Sequence, residues 1–262
     1  MLDEPRSGRL TAWGNALFAG LVPPDDAVSR IVDDDAVHRV ADLPDEPGEV
    51  GLSLALGRLR ALGAYGLRLA LPAPGHPLGL SGPPEFNARA LDVGEAVVAS
   101  GAALGLVPET ADRGSGEGGR GRAEVVWRCL PVREAPPADV PSLGEAEREL
   151  AEALREATEV LTRLDVAGSG PVADAALAAY RARAEAGRRL LAPGYPPRAV
   201  RVLELAQRVA ALVEIAHGSE HGGAVSAAAM AARSQALRPV ERTARRAKVA
   251  AYNAYVEERE RR

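Results

Sequence analysis

The stretch HGSEHGG, His217 to Gly223, places two of the chain's four histidines four residues apart with Glu220 beside the second. On one face of an unbroken helix that spacing brings two ring nitrogens to a single ion. Gly218 lies between the histidines, however, and Gly222 and Gly223 follow. A glycine after a long apolar helix commonly takes the left-handed conformation that ends it. The spacing therefore predicts His217 at a helix C-terminus, His221 in a turn between helices, and no bound metal.

The five residues match the H-x-x-E-H pattern and in that resemble the inverted zinc metallopeptidases. The resemblance implies a third ligand, a glutamate on a later helix. Glu241, Glu257, Glu258 and Glu260 are the candidates, and none has a supporting motif. In GSGEGG, Gly114, Gly116 and Gly119 have the spacing of a dinucleotide-binding loop, but that motif needs a helix next and the following pattern is a strand. A hairpin loop is expected, and no cofactor. Cys129 shares one strand face with Val125 and Trp127, which predicts a small core residue and not a nucleophile.

One polar group remains for the α/β part of the chain. The connection PAPGHPLGLSGPP, Pro72 to Pro84, is long for a compact domain. If the strands preceding it and the acidic loop Asp42 to Glu49 are parallel, both loops lie at the sheet edge where parallel α/β folds bind ligands. Asp42, Asp45, His76, Glu85 and Asn87 would then form a ligand-binding set. The plainer reading is a surface loop stiffened by prolines, with His76 solvated. Further on, Arg238, Arg242, Arg245 and Arg246 fall on one side of a helical pattern, where they suit an anion, an acidic protein surface, or simply water.

The elements that carry these residues divide the chain. AVHRVA (Ala36 to Ala41), LRLAL (Leu67 to Leu71), ALGLV (Ala103 to Val107) and EVVWRCLPV (Glu124 to Val132) read as strands. Leu52, Leu56, Leu59 and Leu62 mark one helix between them, and Phe86 to Ser100 reads as another. The expectation is α+β overall: residues 1–135 form a small α/β sandwich with a mixed sheet of about four strands. A Pro-rich linker, residues 136–142, leads into a helical domain, residues 143–262.

Ser142 and Glu145 make a capping box at the start of that domain. An apolar seam from Leu143 to Leu164 then alternates spacings of three and four, and further helical seams follow from Ala173 to Leu191, from Val202 to Leu212 with a second beside it from Leu203 to Val213, and from Ala232 to Tyr255. They predict an antiparallel four-helix bundle whose last helix is kinked at Pro239. That helix is longer than its neighbours, so its end is expected to bend back, dock on the first domain, or meet another chain.

Composition narrows the function classes. Residues 1–135 carry 13 basic and 19 acidic side chains, and residues 136–262 carry 19 and 17, so neither half has the basic excess of a nucleic-acid-binding domain. The longest apolar run, Ala96 to Val107, has 12 residues, short of the roughly 20 needed to span a bilayer. A single cysteine and no secretory leader point to the cytoplasm. The leading expectation is a non-enzymatic protein that makes protein contacts, with a partner or with itself, through its C-terminal helices. Ligand binding or catalysis near the 72–84 loop, and anion binding on the Arg stripe, are the alternatives.

Overall fold

The computed structural model describes residues 4–111, 122–163, 191–218 and 227–261. These form two compact units. One comprises Glu4–Val140 together with Leu191–Tyr195 and Tyr252–Arg262; the other contains Pro141–Leu190 and Pro196–Ala251.

In the first unit the described helices are α1 (Arg6–Phe18), α2 (Pro24–Val32), α3 (Leu52–Ala61) and α4 (Pro84–Val93). The strands are β1 (Val37–Ala41), β2 (Val50–Gly51), β3 (Gly66–Ala70), β4 (Ala96–Ser100), β5 (Leu104–Ala111) and β6 (Glu124–Pro131). They form one mixed sheet in the order β2-β1-β6-β5-β4-β3. Only β1 and β6 pair in parallel; the other neighbours are antiparallel.

The sheet has six strands rather than about four, and the two additional ones have physical reasons. β2 is two residues long, too short to show a period. β4 was hidden in the stretch Phe86 to Ser100 read as one helix: Gly94, at φ 82°, takes the left-handed cap that stops α4 after Val93, and the β-branched Val97 and Val98 then extend. The Leu52 helix also ends sooner than its spacing suggests. Leu52, Leu56 and Leu59 are buried, whereas Leu62 lies past the end of α3 and is exposed.

α1 is buried nearly all round and packs on β3 and β4. α4 packs on β5, where Phe86 lies directly over Gly105: a Cβ built there would sit 2.4 Å from the Phe86 ring. Phe86 belongs to a core with Ala90, Ala96, Val107, Leu130 and Val132. Gly105→Ala is therefore expected to lower stability by about 1–3 kcal/mol through overpacking, measured by urea unfolding. A substitution with no effect would mean that the ring moves aside freely.

The second unit is helical, with α5 (Leu143–Arg163), α6 (Pro197–Gly218) and α7 (Ala227–Glu260), the last extending into the first unit. The capping box is present: the Ser142 amide donates to Glu145 Oε2 at 2.9 Å and the Glu145 amide donates to Ser142 Oγ at 3.3 Å. Ser142→Ala is expected to cost about 1 kcal/mol, read as a lower urea midpoint. Ala146, Leu150 and Ala153 of the α5 seam are buried, as are Val202, Leu203, Ala206, Val209 and Val213 of α6 and Val240, Ala244, Ala247 and Ala251 of α7. The seam from Ala173 lies outside the described residues as far as Leu191. Pro239 lies inside α7, and the Thr243 hydroxyl donates to its carbonyl at 2.9 Å. Among the described residues no helix is long and apolar enough to cross a membrane.

Candidate functional site

Three polar groupings carry the chemistry of the first unit. The first is buried at the start of β1. Asp35 accepts from Arg6 Nε at 2.9 Å and Nη2 at 2.7 Å, from Arg9 Nη2 at 2.9 Å, and from His38 Nε2 at 3.0 Å. The Trp127 indole N–H donates to His38 Nδ1 at 3.3 Å. An indole nitrogen can only donate, so Nδ1 is the bare nitrogen and Nε2 carries the proton.

Burial opposes the Asp35 charge, but hydrogen bonds from Arg6 and His38 outweigh it and hold the carboxyl below its ordinary range. Burial pushes the His38 pKa down, against the pull of Asp35. The pair resembles the orienting half of a catalytic triad, yet the nitrogen that would take a proton from a nucleophile is occupied by Trp127. This cluster holds β1, β6 and α1 together.

The second grouping runs across a sheet face. Asp42 contacts Arg128 at 3.4 Å, Arg128 contacts Glu109 at 2.8 Å, Glu109 contacts Arg89 at 3.7 Å, and Arg89 contacts Glu85 at 3.5 Å. Two members of the expected ligand set, Asp42 and Glu85, thus end one chain of alternating charge. The others have separate roles. Asn87 Oδ1 accepts from the Gly82 amide at 3.0 Å, fixing the loop to the first turn of α4. Ala73 and His76 exchange backbone hydrogen bonds at 2.9 and 2.8 Å around Pro74 and Gly75, with the His76 side chain half-buried at the turn. Asp45, at φ 64°, occupies a left-handed turn position.

The premise that joined these residues at one edge fails. Three strands lie between β1 and β3, and the alternation of pairings makes β3 run opposite to β1. The 72–84 loop therefore leaves the sheet at the end opposite Asp42. It is also packed: Leu78 and Leu80 are buried, and the Gly79 amide donates to Ala138 O at 2.8 Å.

The third grouping is at the free edge of β3. Asn15 Nδ2 donates to Leu67 O at 2.9 Å while its Oδ1 accepts from the Leu67 amide at 2.7 Å. Asn253 does the same to Leu69, at 3.0 and 2.7 Å. Two side-chain amides stand where the peptides of a seventh strand would be. Tyr195 links them: its hydroxyl donates to Tyr252 O at 2.9 Å and accepts from Asn15 Nδ2 at 3.3 Å. The end of α7, expected to dock on the first domain or another chain, is here part of the first unit.

Sequence reading missed Asn15, Asn253 and His38, although each leaves a trace. LTAWGNALF and VAAYNAYV are apolar on every side of a single asparagine, a pattern that buries the amide and requires partners for it. His38 lies two residues before Val40 in a strand, on the same inward face.

The remaining motifs have plainer places. Cys129 is buried, and desolvation first, then the Asp42 charge, pushes its thiol up to about 11. His217 is in the last turn of α6, while His221 and the glycines from Gly114 to Gly119 lie outside the described residues. Among the described residues no group of three or more His, Cys, Asp or Glu is placed to hold a metal. Of the arginine stripe, Arg246 is drawn to Glu149 at 3.1 Å, whereas Arg238 and Arg242 are exposed and Arg245 half-buried.

Family models described as the N-terminal and C-terminal domains of Rv1486c-like proteins match residues 7–142 and 144–249. The uncharacterized protein MT1533 of Mycobacterium tuberculosis strain CDC 1551 / Oshkosh is 31% identical, covering 94% of this chain and 95% of its own. The uncharacterized protein Rv1486c of strain H37Rv is 30% identical over the same shares. The uncharacterized protein ML1804 of Mycobacterium leprae is 28% identical, again over 94% and 95%. No solved structure matches.

Proposed function

The chain belongs to the Rv1486c-like family, and on that premise we propose that it is a cytoplasmic, non-enzymatic protein that makes protein contacts and associates with itself through its C-terminal helices. The observation that carries this reading is the β3 edge. The α/β unit is completed by a helix from late in the sequence, gripped through Asn253 on Leu69 and through Tyr252, whose hydroxyl donates to Glu4 at 2.6 Å. The β3 peptide groups at this edge are satisfied by side chains and not by a strand, and the same helix supplied by a second copy would satisfy Leu69 equally well.

Light scattering across a concentration series tests the reading. The mass is expected to rise from monomer to dimer; a constant monomer mass at every concentration overturns it.

A second reading rests on Arg238, Arg242 and Arg245, which lie on the side of α7 away from its buried seam. They suit an acidic surface or a polyanion. Salt-sensitive retention on heparin, lost when the three are replaced by glutamine, supports it; salt-insensitive passage removes it.

A further inference from the structure

The chain order around the β3 edge points to how two copies would join, and this rests on the self-association proposed above. Residues 4–140 connect to everything that follows through one peptide, Val140–Pro141. Yet their unit is completed by Leu191–Tyr195 and Tyr252–Arg262 from beyond it. All the contacts of these two segments with residues 4–140 are non-covalent. We propose that the protein dimerises by reciprocal exchange, each α/β unit taking Leu191–Tyr195 and Tyr252–Glu260 from a second copy.

Four observations support exchange. First, the received surface is specific and deep. Tyr252, Asn253 and Val256 are fully buried, and Val256 fills the space over Gly66, where a Cβ would lie 2.7 Å from its Cγ2. Second, the rim adds polar contacts: the Tyr65 hydroxyl donates to Glu260 at 2.7 Å, Arg259 donates to Tyr65 O at 3.0 Å, and Arg68 pairs with Glu260. Third, the two segments travel as one piece, because Tyr195 donates to Tyr252 O and its ring lies 5.4 Å from that of Tyr255.

The fourth observation is the hinge. Residues 134–142 read EAPPADVPS, and prolines make such a connection stiff. Asp139 sits at φ 58°, a conformation a non-glycine residue adopts at a cost, and Ala138 is tied to Gly79. A hinge that is strained in the closed chain loses that strain on opening, while every contact of the closed form is remade between copies.

The experiment uses full-length chains. One carries Tyr65→Cys and the other Glu260→Cys, both at the exposed rim. Native Cys129 is buried with a raised pKa and stays silent to maleimide at neutral pH. The two chains are concentrated together, then treated with a short bis-maleimide. A covalent pairing of the two variants is expected, and a chain carrying both substitutions confirms the reach of the reagent.

Asp139→Gly, which relieves the left-handed backbone at the hinge, is expected to reduce the dimer fraction seen by light scattering, whereas Asp139→Asn, which removes the carboxylate charge but keeps a side chain in that conformation, is expected to leave it unchanged; equal losses in both variants overturn the role of hinge strain. A dimer by light scattering that gives no cross-link between the variants overturns exchange and leaves self-association standing. A monomer at all concentrations overturns both.

Discussion

Asn253→Leu is expected to lower stability by about 2–5 kcal/mol, although the two side chains have similar volumes. The leucine fills the space, but the Leu69 amide and carbonyl, both bonded to the carboxamide of Asn253, are then buried without partners. Each orphaned backbone group costs about 1–3 kcal/mol. The loss would appear as a lower urea midpoint with an unchanged slope, and as faster hydrogen exchange at Leu69. Asn253→Asp should fare no better: the carboxylate accepts from the amide but offers the carbonyl nothing, and it adds a buried charge. If Asn253→Leu unfolds at the wild-type midpoint, the edge is satisfied in some other way.

Asp35→Asn is expected to be comparably damaging, by about 3–5 kcal/mol, because it leaves Arg6, Arg9 and His38 around a neutral group. Its pH dependence separates it from a packing defect. The Asp35 pKa is depressed in the fold, so its contribution is present above the unfolded value of about 4 and disappears as pH falls through the folded value. The His38 pKa is depressed too. Its neutral form is favoured by folding, so stability begins to decline as pH drops below about 6.5, when the unfolded chain binds a proton that the folded chain refuses.

Both effects have the same sign: the wild type should be most stable near neutral pH and weaken on acidification. Protonated His38 has no acceptor for the Trp127 indole, so the loss should be accompanied by a change in tryptophan fluorescence. In Asp35→Asn the profile should flatten below pH 4. Wild-type stability that is level from pH 7 to pH 5 would contradict the buried neutral histidine.

Much of the architecture was legible in the sequence because it depends on local period. The four predicted strands correspond to β1, β3, β5 and β6, and the Ser142–Glu145 box caps α5, since both signals are complete within a few residues. β4 was not legible, because Ala96 to Ala99 are apolar without alternation and only Gly94 tells them from the helix before them. The candidate ligand set was assembled from residue types on the assumption of a parallel pair. Strand order is a long-range property, and the real order sends the Asp42 loop and the 72–84 loop to opposite ends.

The sequence by itself determined an α/β half and a helical half, a thiol placed in the core, a cap at Ser142, and a last helix longer than its neighbours. Each follows from composition and spacing, which fix which faces are apolar. Only the tertiary structure decided what the excess length does. Asn253 is one polar residue in an apolar run until Leu69 is placed opposite it, and Asp35 is one of three adjacent aspartates until Arg6, Arg9 and His38 converge on it. A buried polar group announces that it needs a partner; which partner it finds depends on how segments nearly 200 residues apart are brought together, as the separation of 184 between Leu69 and Asn253 shows.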